Sequence, residues 1–143
     1  MYRGKTGFFK VIKHEFQYIR EYDDNFKVMF EGGFKNEKYD QFGKFAFGNI
    51  EIEGNWKRGI IWGDCRIKLN RLLKFQGKAW GINVDKAKEL SRNFPIFPDF
   101  CGEGRLYDRN GKLVYQGKFN NTINIGERYN NNGLKSINRS NLG

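Results

Sequence analysis

The sequence predicts an all-β protein, built as a single-layer antiparallel sheet of successive β-hairpins with one short helix in an inserted loop. The first indication is the stretch 100–129, in which two runs of alternating apolar and polar residues flank Asn110-Gly111. Asn-Gly is a strong hairpin signal because both residues tolerate positive φ. The second indication is a glycine in the middle of such a run, and this arrangement recurs along the chain. A lone hairpin is barely stable in water, so the predicted hairpins need one another as neighbours.

An apolar-x-Gly-x-apolar pattern occurs four times. Its central glycines are Gly32, Gly54, Gly77 and Gly117. A second series of glycines precedes further alternating runs, and its members are Gly43, Gly63, Gly102 and Gly126. Both series have one long interval in the third unit, which indicates a single insertion of roughly sixteen residues there. A fixed period with one insertion predicts a repeat array in which the glycines of the first series are stacked.

Two runs show the repeat most fully: Tyr115-Gln116-Gly117-Lys118-Phe119-Asn120-Asn121 and Phe30-Glu31-Gly32-Gly33-Phe34-Lys35-Asn36. They resemble the MORN (membrane occupation and recognition nexus) repeat, whose motif is similar to Tyr-Glu-Gly-Glu-Phe/Trp-x-Asn-Gly followed by Gly-x-Gly and a strand. The resemblance covers about residues 28–137. The repeats are degenerate, since Gly-x-Gly is complete only at Gly102 and Gly104. The resemblance implies a sheet of stacked hairpins, and the family name suggests attachment to membranes.

The chain is expected to have three parts. Residues 1–27 form a degenerate N-terminal cap, residues 28–137 form the MORN-like array with its insertion at 82–99, and residues 138–143 form a C-terminal tail. In the cap, 8–12 and 16–20 are predicted strands, and the acidic run 21–25 is predicted to be a solvated turn. In the insertion, 84–93 contains strong helix formers and is predicted to be a helix that ends before the following prolines.

Composition fits one compact domain with an aromatic core, because 17% of the residues are aromatic and 38% are hydrophobic. Phe34, Trp56 and Phe119 occupy equivalent repeat positions and are predicted core residues. The net charge of +10 suggests an anionic partner or a lysine-rich soluble surface. No segment has the length of a transmembrane helix or the pattern of a signal peptide, so the expected location is cytoplasmic, with cytoskeletal or membrane association as the alternative. Cys65 and Cys101 are expected to be reduced thiols.

Charged residues follow the glycines of the second series, at Lys44, Asp64, Glu103 and Glu127. On stacked strands they would form a ladder across the sheet. The favoured interpretation is solvent-facing charge that discourages edge-to-edge pairing, because an open sheet offers nothing to separate the pKa values of paired carboxyl groups.

The sequence shows no catalytic constellation, with a single histidine at His14 and no phosphate-binding loop. We therefore expect a non-enzymatic protein without cofactor or metal. The favoured function is a protein-binding or scaffold module that presents an aromatic-rich twisted sheet to a helix, a filament or an assembly subunit, or that inhibits one dedicated partner. The alternatives are a basic sheet that binds RNA or DNA and an adaptor on acidic phospholipid membranes. Basic residues are spread through every repeat rather than clustered, which favours a protein partner.

The candidate binding residues lie in the insertion and at two tryptophans. They are Lys86, Lys88, Arg92, Phe94, Phe97, Trp62 and Trp80. We expect Phe94 and Phe97 to pack onto the sheet as part of a lid, while the charged face of the helix stays available to a partner. The alternative is that Phe94, Ile96 and Phe97 form an exposed hydrophobic anchor.

Overall fold

The computed structural model describes residues 16–95, 98–119, 124–129 and 135–136. Within these residues, ten strands form one antiparallel sheet in which the spatial order of the strands is their order along the chain. The strands are β1 (Gln17–Tyr22), β2 (Val28–Lys35), β3 (Lys38–Phe47), β4 (Ile50–Lys57), β5 (Ile60–Leu69), β6 (Leu72–Ile82), β7 (Cys101–Tyr107), β8 (Leu113–Phe119), β9 (Asn124–Tyr129) and β10 (Lys135–Ser136). A helix, α1 (Val84–Arg92), lies between β6 and β7. The predicted sheet of successive hairpins is confirmed.

Tight turns join most of the strands. In three two-residue turns both central residues have positive φ, the geometry that type I′ turns need to match the twist of a hairpin. These turns are Asn36-Glu37, Arg58-Gly59 and Asn70-Arg71. The turn at Asn110-Gly111 is wider than predicted, since it covers residues 108–112 between the paired Tyr107 and Leu113. Asp108 Oδ1 stabilises this turn by accepting hydrogen bonds from the backbone N–H groups of Asn110 (2.8 Å) and Lys112 (3.0 Å). The hydrogen bond from Lys112, and to a smaller extent that from Asn110, holds the pKa of Asp108 below its usual range.

A row of small residues crosses the sheet from β2 to β9. Backbone pairing places the following residues opposite one another on successive strands: Gly32, Gly43, Gly54, Cys65, Gly77, Gly104, Gly117 and Gly126. We call these eight residues the glycine row. All four glycines of the first sequence series belong to it, so their predicted stacking is confirmed.

The second sequence series was only partly aligned. Gly43 and Gly126 lie in the glycine row, but Gly63 and Gly102 lie two residues before it, opposite Ala79. Membership in the row follows the spacing along the chain and not the residue type. The interval of eleven residues from Gly32 to Gly43 recurs from Gly54 to Cys65, so the row contains Cys65 and not Gly63.

Four positions of the row require glycine, because neighbouring backbones leave no space for a side chain at Gly32, Gly54, Gly77 and Gly104. Gly77 has a φ of +157°, and a Cβ atom there would lie 2.3 Å from the carbonyl oxygen of Glu103. Gly104 has a φ of +159°, and its Cβ would lie 2.3 Å from the carbonyl oxygen of Gln76. Core rings also occupy this space, since a Cβ on Gly43 would lie 2.3 Å from Cζ of Phe30. Both the backbone conformation and the packing therefore exclude larger residues.

One face of the sheet, which we call the inner face, carries the hydrophobic core. A paired row of buried side chains runs along it, from Phe30 through Phe45, Ile52, Ile67, Phe75 and Leu106 to Tyr115. Phe34, Trp56 and Phe119 are 7%, 2% and 3% exposed, which confirms their prediction as core residues. The core is strongly aromatic, and the rings of Phe30 and Tyr39 stack with their centroids 3.6 Å apart.

Helix α1 covers part of the inner face. Asn83 caps its N-terminus with a side-chain oxygen that accepts a hydrogen bond from the Lys86 backbone N–H (2.8 Å), and Asn93 caps its C-terminus. The predicted helix at 84–93 is therefore confirmed to within one residue. Ala87 and Leu90 are buried, and the helix contacts β3, β4 and β6. The inserted loop thus closes the core over the middle of the sheet.

Glu21 differs from the expectation for the acidic run 21–25. It lies in β1 rather than in a solvated turn, is only 2% exposed, and accepts a hydrogen bond from the Tyr39 hydroxyl group. Strand alternation explains the difference, because Glu21 lies two residues after the buried Ile19 and so points to the same face. The predicted strand at 8–12 and the tail at 138–143 lie outside the described residues.

Candidate functional site

The face opposite the core, which we call the outer face, carries a row of charges with alternating sign. Backbone pairing aligns one polar residue from each of eight strands, six of them charged: Arg20, Glu31, Lys44, Glu53, Arg66, Gln76, Arg105 and Gln116. From β1 to β5 every neighbour is of opposite sign, and Arg20 pairs with Glu31 at 3.2 Å. Opposite charges directly across a sheet stabilise strand pairing modestly. We call this set the first charged row.

A second charged row lies on the other side of the glycine row, formed by Asp64, Lys78, Glu103 and Lys118. It separates the four residues that the sequence placed in one ladder. Lys44 and Glu127 align with the first charged row, whereas Asp64 and Glu103 belong to the second, with Lys78 between them. The prediction of a single ladder was therefore wrong. The reason is that Gly63 and Gly102, which precede Asp64 and Glu103, lie two residues before the glycine row. The alternating charge on the outer face agrees with the favoured interpretation.

Three exposed aromatic side chains lie on the outer face of the first three strands. Phe16, Tyr18 and Phe42 are 47%, 63% and 57% exposed. Tyr18 pairs with Gly33, and the ring of Phe16 covers Gly33 so closely that a Cβ there would lie 2.5 Å from Cε1 of Phe16. Large aromatic groups concentrated on one otherwise charged face are typical of interaction sites.

A groove continues from Phe42 across four strands of the outer face. It has a volume of about 420 Å³. We call it the outer groove, and its lining residues are Phe42, Glu53, Gly54, Asn55, Asp64, Cys65, Arg66, Gln76 and Gly77. The members from the glycine row form its floor, because their side chains, where present, point to the inner face. One wall of the groove is formed by Glu53, Arg66 and Gln76 of the first charged row, and the other by Phe42, Asn55 and Asp64.

Trp62 and Trp80, two of the predicted binding residues, are brought together on the outer face. They pair directly across β5 and β6. Trp62 is 51% exposed, Trp80 is half-buried, and the ammonium group of Lys57 lies 6.0 Å from the centroid of the Trp62 ring. Trp62 lies two residues from Asp64 on the same side of β5. The tryptophans thus extend the surface that the outer groove begins.

The predicted residues of the helix lie on the other side of the molecule, and two of their cations already have partners. The ammonium group of Lys86 binds Asp99 at 2.8 Å and Glu89 at 3.3 Å. Its hydrogen bond to Asp99 raises the pKa of Lys86 and lowers that of Asp99. Lys88 lies 4.9 Å from the ring centroid of Phe47, a cation–π contact that fixes the helix to the sheet. Arg92 is exposed.

The aromatic residues after the helix are only partly described. Phe94 packs against the core, and the ammonium group of Lys74 lies 5.5 Å from its ring centroid. Burial lowers the pKa of Lys74. The expected packing of Phe94 onto the sheet is therefore observed, whereas Phe97 and Ile96 lie outside the described residues. The six candidates among the described residues consequently do not form one surface.

The cysteines show no site of their own. Both are free thiols, as expected; Cys65 is buried in the glycine row, and burial raises its pKa to about 12, which keeps the thiol protonated. Across residues 16–95 and 98–119, no group of three His, Cys, Asp or Glu side chains is placed to hold a metal ion. In the same part of the chain no helix is long and apolar enough to cross a membrane.

Sequence reasoning missed Phe16, Tyr18 and Phe42, which are more exposed than most apolar residues of the chain. A signal was present for Phe42, because it falls out of phase with the inward-facing Gly43 and Phe45. Strict alternation therefore assigns it to the outer face. The groove itself had no such signal, since it depends on the register of four strands.

Comparisons of the chain with protein-family models, curated proteins and solved structures found no match.

Proposed function

We propose that this chain is a non-enzymatic protein-binding module, an assembly subunit or a dedicated inhibitor, whose outer face binds a protein partner. The observation that carries the proposal is the position of Phe42, which is 57% exposed at the mouth of the outer groove. Exposed aromatic residues beside a groove supply much of the binding free energy at protein interfaces. Tyr18 and Trp62 extend the same face on either side.

The charge pattern favours protein over nucleic acid. A phosphate backbone requires a surface dominated by cations. Along the described part of the outer face, however, Lys44 and Arg66 alternate with Glu31 and Glu53. A surface of mixed sign suits a partner that also carries both signs.

The proposal includes a relationship to MORN repeats. It is supported by the runs around Gly32 and Gly117, which resemble that motif and whose glycines lie in the glycine row. In this view the aromatic residues two positions after each glycine, Phe34 and Phe119, serve the core, while recognition uses the opposite face.

The test is capture of a partner from an extract of the native source by the immobilised chain. Phe42→Ser and Trp62→Ser should each abolish capture and leave the melting temperature unchanged. Leu72→Ser is the matched control, because Leu72 is 42% exposed but lies at the far end of β6. Capture that survives both outer-face changes contradicts the proposal. Capture that a nuclease removes, and that falls by orders of magnitude between about 50 and 200 mM salt, would instead establish nucleic-acid binding.

A further inference from the structure

We infer that the outer groove holds a single α-helix of the partner protein, lying across strands β3 to β6. This inference rests on the proposed function and names the form of the partner. The groove runs across the strands rather than along them, since its lining residues come from four consecutive strands at one level of the sheet. A partner segment in the groove must therefore follow the direction in which the strands are stacked.

The groove floor suits a compact apolar ridge. Gly54 and Gly77 have no side chains, and Cys65 points into the core, so the floor is formed by backbone. Phe42 lies at the β3 end of the groove with an exposed ring. Aliphatic side chains on one face of a helix would contact both the floor and this ring.

The spacing of the strands along the groove distinguishes a helix from an extended chain as its occupant. Neighbouring strands are about 4.8 Å apart, so four strands span about 14 Å. Helix positions i, i+3, i+7 and i+10 lie on one face and span about 15 Å along the axis. Four side chains on one face of an extended chain span about 20 Å, which misses the fourth strand by more than one strand spacing. Only a helix can therefore place one side chain opposite each strand.

The signs of the charges define the sequence of that helix. The first charged row contributes Glu53 and Arg66 to the groove lining, and Lys44 lies next to Glu53 on β3. A complementary helix carries acidic, basic and acidic residues at i, i+3 and i+7. The opposite wall contributes Asp64, which calls for a basic residue on the other flank of the apolar ridge. The existing pair between Lys44 and Glu51 is long, at 3.7 Å, and exposed, so a partner can displace it.

The test selects ligands for the full chain from two displayed peptide libraries, one of stabilised helices and one of unstructured peptides. The helical library should yield binders with acidic, basic and acidic residues at i, i+3 and i+7. Affinity, measured by fluorescence polarisation with a synthetic copy of the selected peptide, should fall at least about tenfold in Phe42→Ser and in Glu53→Arg. Arg109→Glu, a charge reversal outside the groove, should leave the affinity unchanged. In the double variant Glu53→Arg/Arg66→Glu, the preference should switch to the peptide in which only the charges at i+3 and i+7 are reversed, giving acidic, acidic and basic residues.

Several results would overturn the inference. Binders that come only from the unstructured library and compete in the groove would make the occupant an extended peptide. Helical binders whose affinity is unchanged in Phe42→Ser and Glu53→Arg would show that the helix binds outside the groove. A concentration-dependent dimer, seen by sedimentation and abolished by Phe42→Ser, would make the occupant a second copy of this chain. If these peptides fail while Phe42→Ser still abolishes capture of the native partner, the helix inference alone is wrong and the proposed function stands.

Discussion

Gly77 and Gly104 lie opposite each other on β6 and β7, and a side chain on either would collide with the backbone of the other strand. A Cβ on Gly77 would lie 2.7 Å from the Cα of Gly104. Gly77→Ala is therefore expected to destabilise the fold by at least about 3 kcal/mol, through overpacking added to the strain of positive φ. Chemical denaturation would measure this cost.

Gly111→Ala separates the two causes. Gly111 also has positive φ, at +84°, but apart from its chain neighbours no atom would lie within 4 Å of a Cβ at this position, so only backbone strain applies. The expected cost is about 1–2 kcal/mol. Equal costs at the two positions would show that close strand contact does not explain the glycine row.

Trp56 and Trp62 lie on opposite faces and should respond differently to substitution. Trp56 is 2% exposed and its indole N–H donates a hydrogen bond to the Gly43 carbonyl group at 3.1 Å. Trp56→Ala is expected to cost about 3–5 kcal/mol, which nearly unfolds a domain of ordinary stability. Trp62→Ala should change stability by less than about 0.5 kcal/mol but weaken partner binding. If Trp56→Ala kept the melting temperature and lost the partner, Trp56 would be a binding residue instead.

The ion pair between Lys86 and Asp99 should make stability depend on pH. The folded-state pKa of Asp99 is lowered, so its contribution is present at neutral pH and is lost as the pH falls through that pKa. The pKa of Lys86 is raised, so its contribution is lost only as the pH rises through that higher value. Because 56% of the Asp99 side chain is exposed, Asp99→Asn should cost only about 0.2–1 kcal/mol at pH 7.

The check is the melting temperature of wild type and Asp99→Asn as a function of pH. The difference between them should be largest at neutral pH and should diminish as the pH falls through the lowered pKa of Asp99, where that carboxyl group becomes protonated in the wild type. Glu89→Gln is the control, because the contact of Glu89 with Lys86 is longer than that of Asp99 and the Glu89 side chain is slightly more exposed. A difference that persists in acid would mean that the effect of Asp99 is not electrostatic.

The helix is expected to stabilise the sheet rather than to recognise a partner. Leu90 is 1% exposed, so Leu90→Ala should cost about 2–5 kcal/mol, whereas Arg92→Ala, on the exposed side, should change stability by less than about 0.5 kcal/mol. Replacing the insertion by a short turn should lower the melting temperature sharply. A shortened chain that kept both its stability and its partner would show that the insertion is passive.

The regular part of the fold was predictable because it depends on the spacing of residues that are close together in the sequence. Gly32 and Gly117 revealed the period, alternation assigned Trp56 to the core, and helix formers marked α1. What the sequence did not reveal depends on register between strands. Cys65 replaces glycine in the row without changing the spacing, and a search for glycine alone therefore selected Gly63.

The candidate site was less predictable than the fold. Trp62 and Trp80 were named from the sequence and do lie together, because they are paired across two strands. Lys86 was expected to be available, but it binds Asp99, thirteen residues away, across a loop whose course no local pattern determines. The outer groove requires four strands in register and could be recognised only in three dimensions.

Because each strand pairs only with its neighbours in the chain, the protein can fold in the order in which it is synthesised. A ribosome adds about 5–20 residues per second, whereas a hairpin forms in about 1–10 μs. Each new strand can therefore join the growing edge long before the next one emerges. Helix α1 contacts β3, β4 and β6, all of which precede it, so these strands can already be in place when it leaves the ribosome. The contacts of the helix with these three strands therefore require no later segment of the chain.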